Sequence, residues 1–230
     1  MLSKIKKNIN NKNICVIFNE DDKSILRLEK YTVIIIKDLQ KFYKAKNPKI
    51  KIELIYSRKE FDNKLNCKTP KWLVATALKN NIYLFSPSVI EKVSDHKKTE
   101  IKKLLTHEFC HVFNSKINKN GLVWMDEGIA LFVAKQRKNK NYTEDNLNYF
   151  SDYYFEKNIK LSPFATNNGY KISYWAIRKI AEEFNDKKLL ELLKINPEKK
   201  NCRKKIEKAL GYSTKEFIKT LKKASIHLFL

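Results

Sequence analysis

The stretch that decides the reading is Leu105-Thr106-His107-Glu108-Phe109-Cys110-His111-Val112-Phe113. From Thr99 to Lys116 the apolar residues fall at 101, 104, 105, 109, 112 and 113, which is helical spacing. Ser94 or Asp95 is the expected N-cap. Four residues advance a helix by about 400°, so His107 and His111 stand one turn apart and about 40° from each other on one face. Two imidazoles so placed can bind a single zinc ion at roughly 2.0–2.1 Å. Glu108 lies beside that face, suited to take a proton from a water molecule rather than to ligate. The chain has only four histidines, and half of them are in this one motif. That concentration weighs against two ordinary helix histidines. Cys110 sits about 300° around the helix from His107 and is expected in the core.

A hydrolytic zinc site needs a third protein ligand and an open position. Trp124-Met125-Asp126-Glu127-Gly128-Ile129-Ala130 offers one at the start of the next helix, Glu127 following His111 after a gap of 15 residues. A hairpin of two helices would bring Glu127 back over the histidines. Gly128 would let another backbone approach closely, and Trp124 would anchor the turn in the core. Glu127 is favoured, with Asp126 as the fallback ligand or as a partner to a histidine N–H. Either carboxylate could instead simply favour the helix N-terminus. His96 and His227 have no supporting pattern.

Outward from this motif the chain divides by pattern into an α/β part, residues 1 to about 95, and a helical part. Ile14–Phe18 and the alternating stretch 49–56 read as strands. Residues 24–43 read as a helix despite the β-branched run Val33–Ile36. Ser57 starts a short helix, and Trp72–Ala77 with Ile82–Phe85 form a hairpin about Asn80-Asn81. Asn120-Gly121 is a turn, and Trp124–Gln136 is the next helix. After the break at Asn167-Asn168-Gly169, another helix covers about 170–184. Gly211 followed by Ser213-Thr214-Lys215-Glu216 is a glycine C-cap and a capping box, so two small helices end the chain. The aromatic cluster of Tyr149-Phe150 and Tyr153-Tyr154-Phe155 reads as core or groove wall. The expectation is an α+β fold in a single 1–230 domain: a sheet lobe (1–95), zinc-binding helices (96–138) and a helical lobe (139–230).

Composition frames this without deciding it. Lys+Arg number 48 against 25 Asp+Glu, a formal charge of +23 over 230 residues. Forty-three of those cations are Lys and only five are Arg, while Asn numbers 23 and Ile 24. A Lys, Asn and Ile excess is compositional, and Arg, whose planar fork reads phosphates and bases, is the scarce residue. No specific nucleic-acid partner is therefore expected, and the Lys-rich stretch 187–223 reads as solvated helix faces. The apolar fraction of 43% is too high for a disordered basic tail. No apolar run approaches the roughly 18 residues of a spanning helix, and the N-terminus has no secretory pattern. Cys15, Cys67, Cys110 and Cys202 form no C-x-x-C, so reduced thiols and a cytoplasmic setting are expected.

H-E-x-x-H followed by W-x-x-E-G-x-A resembles the gluzincin metallopeptidases, particularly small bacterial peptidase MA-like domains related to the aminopeptidase N catalytic domain. The likeness extends to 51–56 with Glu60-Phe61, to the edge-strand segment 71–77 with 82–84, and to the helices from Gly169 to Leu193. It implies a thermolysin-like two-lobe domain, one Zn²⁺ held by His107, His111 and Glu127, and Glu108 as base. It also implies a tyrosine donating to the oxyanion, here Tyr170 at the head of a Y-x-x-x-x-x-x-x-R pattern ending at Arg178, with Tyr174 the alternative. The family's Lys-Gly is replaced by Ile172-Ser173. Its Gly-x-Met-x-Asn is replaced by the segment around Val74–Ala77, so neither aminopeptidase specificity nor free-amine recognition is implied.

The expected activity is zinc-dependent hydrolysis of peptides or proteins. The rivals are an inactive zinc-binding regulatory protein of the same fold and a nucleic-acid-associated basic peptidase.

Overall fold

Strand β2 (Ile14–Asn19), helix α1 (Ile25–Tyr43) and strand β3 (Ile50–Ile55) form a crossover unit in which the two strands run parallel. The computed structural model describes residues 3–9, 13–155, 161–197 and 201–226, without the side chains of 161–162 and 223–226. By contacts the chain divides into two units, Met1–Phe113 and Asn114–Leu230.

In the first unit β1 (Lys4–Ile9) pairs antiparallel with β2, and β3 pairs parallel with β5 (Asn81–Phe85). The antiparallel hairpin of β4 (Ala75–Leu78) and β5 completes a five-stranded mixed sheet in the order β1-β2-β3-β5-β4. Of the three central strands β2 and β5 are almost continuously apolar, while β3 alternates, carrying exposed Lys51 and buried Glu53 among its aliphatic residues. Helix α1 buries Ile25, Leu28, Ile35, Ile36 and Leu39, one stripe at helical spacing. Packing thus outweighs the β-branched run within it. Helix α2 (Arg58–Leu65) is capped by Ser57, whose hydroxyl accepts from Glu60 N. Short α3 (Ile90–Val93) and a 3-10 turn (Lys98–Glu100) lead into α4 (Ile101–Ile117). Tyr43 at the end of α1 stacks on Phe113 of α4, ring centroids 5.0 Å apart.

Three local expectations need correction. Lys4–Ile9 is a strand that its lysine-rich sequence did not announce; its charges suit an exposed sheet edge. Trp72–Val74 is not strand. The Arg58 guanidinium takes the carbonyls of Pro70, Lys71 and Leu73, at 3.3, 3.1 and 2.7 Å, so this backbone is spent before the ladder begins at Ala75. Neither Ser94 nor Asp95 caps the helical run. The Ser94 hydroxyl turns back to Ile90 O at 2.7 Å; at the start of the run the Glu100 carboxylate accepts from Lys97 N–H at 2.9 Å, and Glu100 N–H donates to the Lys97 carbonyl at 2.9 Å.

The second unit is helical: α5 (Val123–Val133), α6 (Glu144–Tyr153), α7 (Leu161–Thr166), α8 (Gly169–Phe184), α9 (Asp186–Leu193), α10 (Cys202–Leu210) and α11 (Thr214–Ile226). Helix α5 stops at Val133, short of Gln136, where Lys135 enters the left-handed region at φ 54°. Gly211 caps α10 at φ 79°, and Ser213 and Glu216 form the reciprocal bonds of a capping box. Phe150, Tyr154 and Phe155 are core, whereas Tyr153 is exposed. No disulfide joins the four cysteines, and Cys110 is fully buried. Among the described residues no helix is long and apolar enough to cross a membrane.

Candidate metal centre

Helix α4 is unusual in being buried on most of its circumference while carrying polar residues inside. Ile101, Leu105, Phe109, Cys110, Val112 and Phe113 are buried, and so are Glu108 (7% exposed) and Asn114 (2%). Buried ionisable and amide groups are costly without partners, so a run of them on one core helix points to chemistry rather than packing.

His107 and His111 occupy consecutive turns as the spacing requires. Their Nε2 atoms are 3.0 Å apart, with ring planes 78° from parallel and centroids 4.7 Å apart. Both rings therefore present the same nitrogen to one point. In a tetrahedral zinc site with bonds of roughly 2.0–2.1 Å, two ligand nitrogens lie about 3.3–3.4 Å apart. A shift of about 0.3 Å would bring these two to that separation. Residues 118–122 connect α4 to α5, and Glu127 is the fifth residue of α5, buried at 8% exposure. His107, His111 and Glu127 each offer one ligand atom, and these atoms all lie within 4.8 Å of one another. Two imidazole nitrogens and one carboxylate oxygen are a donor set that suits zinc.

Asp126, the fallback ligand, is turned elsewhere. Its Oδ1 accepts from Asn114 Nδ2 at 2.6 Å, and its backbone carbonyl accepts from the same amide at 3.3 Å. Asn114 was not singled out from the sequence. Its position one turn beyond His111, on the same stripe, is the signal that could have found it. This bond ties the last turn of α4 to the first turn of α5 and so helps set where Glu127 lies.

Around α5, Trp124 is almost fully buried, its ring 5.5 Å from Phe150 and 5.2 Å from Phe155. It anchors the start of the helix in the core, as the sequence suggested. Gly128 permits a close crossing with α8: a Cβ there would stand 2.8 Å from Ser173 O and 2.5 Å from Ile177 Cγ1. The first two turns of α8 carry the two candidate tyrosines. Tyr170 is half-buried, its ring edge-on to Phe164 at 4.9 Å. Tyr174 is buried, edge-on to Trp175 at 5.3 Å, and its hydroxyl acts on Arg178. His96 is engaged away from the centre, with Nδ1 3.1 Å from Glu100 and Nε2 3.2 Å from Trp72 O. His227 lies outside the described residues.

Comparison with protein-family models, with curated proteins and with solved structures finds no match to this chain.

Proposed function

We propose that this chain is a zinc-dependent metallopeptidase with a thermolysin-like, gluzincin arrangement, holding one Zn²⁺ through His107, His111 and Glu127. The observation that carries the reading is the convergence of the two Nε2 atoms at 3.0 Å on α4, with a carboxylate oxygen of Glu127 within 4.8 Å of the histidine ligand atoms. A zinc ion bound there would supply Lewis-acid polarisation of a carbonyl and lower the pKa of a water.

The remaining work falls to side chains of this chain. Glu108 takes a proton from the attacking water and returns it to the departing amine nitrogen, acting first as base and then as acid. Its burial shields that exchange from bulk solvent. The Tyr170 hydroxyl donates a hydrogen bond to the oxyanion of the tetrahedral intermediate, with Tyr174, one turn on, as the second candidate. Strand β4 is the last strand of the sheet, only four residues long and uncharged. Its outer N–H and C=O groups suit pairing with an extended peptide. Four cysteines joined by no disulfide suit a reducing, cytoplasmic setting.

The test is hydrolysis of a diverse peptide mixture, read by mass spectrometry. Wild-type protein should cleave it, and Glu108→Gln should keep its metal while losing cleavage by at least about a hundredfold. Cleavage retained in that variant overturns the mechanism; no cleavage by metal-loaded wild type leaves a zinc-binding protein without the activity.

A further inference from the structure

Four consecutive carbonyls ahead of β4 are held by two side chains. Arg58 Nη1 donates to Pro70 O at 3.3 Å and to Leu73 O at 2.7 Å, and its Nη2 donates to Lys71 O at 3.1 Å. The remaining carbonyl, Trp72 O, lies 3.2 Å from His96 Nε2. On the other side of the same ring, His96 Nδ1 lies 3.1 Å from Glu100 Oε2. His96 therefore spans from the segment before β4 to the turn that opens α4.

Both of its partners are acceptors. A backbone carbonyl can only accept a hydrogen bond, and so can an ionised carboxylate. Partial burial alone would raise the Glu100 carboxyl, but the Lys97 N–H, His96 and Lys103 hold it below the ordinary glutamate range. Glu100 is thus a carboxylate at neutral pH. The two contacts are both hydrogen bonds only when each ring nitrogen carries a proton, that is, in the imidazolium form. A neutral ring has one N–H. The charged acceptor makes the stronger bond and would keep it, which sets a bare Nε2 against Trp72 O.

On its own segment His96 has Asp95, Lys97, Lys98 and Glu100 as charged neighbours, and Lys71 stands beside Trp72. From the adjoining elements come Arg58 of α2, which also donates to Val93 O at 2.9 Å, and Glu91 of α3, whose Oε1 accepts from Lys98 N–H at 3.0 Å. Lys103 of α4 acts on Glu100. Arginine and lysine keep their charge through about pH 5–8, whereas histidine is the side chain that changes charge there. Arg58 is accordingly a permanent tie on this segment, and His96 is a conditional one.

The conditional tie holds an exposed point. Trp72 is 53% exposed, and the β4 ladder starts two residues on, where Phe85 N–H donates to Val74 O at 3.1 Å. Within the segment, Leu73 N–H donates to Pro70 O at 3.0 Å.

We propose that His96 is a pH-operated clasp on segment 70–74: the doubly protonated ring ties Trp72 and the start of β4 to the turn ahead of α4, and loss of one proton releases them. The clasp goes beyond the peptidase reading and does not rest on it.

Amide hydrogen exchange of the full chain at about pH 5.5 and about pH 8, on either side of histidine titration, tests it. Each rate is divided by the intrinsic rate at that pH. In wild type the protection of Leu73 N–H should fall about tenfold or more from the lower to the higher pH, because a hydrogen bond from a charged donor is lost. Ile52 N–H, in the middle of the sheet, should keep its protection. His96→Ala should show the low Leu73 protection at both pH values, with Ile52 still protected, which establishes that the variant is folded. Equal Leu73 protection at the two pH values in wild type overturns the proposal, as does a fall that Ile52 shares. A pH-dependent fall that persists in His96→Ala, or full Leu73 protection in that variant, does the same.

Discussion

The Nε2 atoms of His107 and His111 stand 3.0 Å apart on consecutive turns of α4. In neutral rings that distance sets the Nε2–H of one imidazole against the bare Nε2 of the other. A metal bound at both nitrogens requires both rings to carry their proton on Nδ1 instead. Zinc added to chelator-treated protein should therefore convert both histidines to the Nδ1–H tautomer, which ¹⁵N NMR of the imidazole rings reads directly. An Nε2–H that persists in the zinc-loaded protein would contradict binding through both Nε2 atoms.

Asn114 holds Asp126, the residue before Glu127, through its side-chain amide. Replacing it by Ala removes a 2.6 Å hydrogen bond from a nearly inaccessible amide. The expected cost is about 1–3 kcal/mol in urea unfolding. Because the bond helps fix the start of α5, zinc affinity should fall by about 10- to 100-fold. Unchanged affinity in a folded Asn114→Ala protein would remove Asn114 from the support of the centre.

Gly128→Ala places a methyl group 2.8 Å from the backbone oxygen of Ser173, which cannot swing aside as a side-chain end can. Overpacking of this kind costs about 1–3 kcal/mol. The denaturation midpoint should drop with an unchanged slope, because the unfolded state is barely altered. A midpoint equal to wild type would mean that α5 and α8 can separate freely.

Much of this architecture is legible in the chain because local periodicity and burial agree. The stripe of α1, the alternation of β3 and the Gly211 cap all follow from residues close in sequence. Where reading fails, a distant residue decides. Lys4–Ile9 becomes strand only because β2 offers it a partner, with Lys4 opposite Asn19 and Ile9 opposite Ile14. Trp72–Val74 leaves the ladder because Arg58 takes its neighbours' carbonyls. In the centre, His107, His111 and Glu127 are legible from spacing and resemblance, while Asn114 is not, because its role depends on a bond to the next helix.

Acid should loosen the first unit through Asp22. Its carboxyl is buried, which alone would raise its pKa, but hydrogen bonds from Ser24, Ser86 and Tyr56 hold it below the ordinary aspartate range. A depressed folded-state pKa gives stability that is present above the unfolded value and lost as pH falls through the folded one. Asp22→Asn should thus be less stable than wild type at neutral pH. The difference should narrow as pH falls below the usual carboxylate range. Urea midpoints measured across that interval check the sign, and a gap that widens in acid would contradict it.

The central claim is a zinc ion held by His107, His111 and Glu127, and metal content tests it most directly. Protein purified without chelator should carry about one zinc per chain, retained in Glu108→Gln and lost in His111→Ala and Glu127→Ala. A wild-type chain that takes up no zinc, or a Glu127→Ala chain that keeps its full complement, would contradict the account.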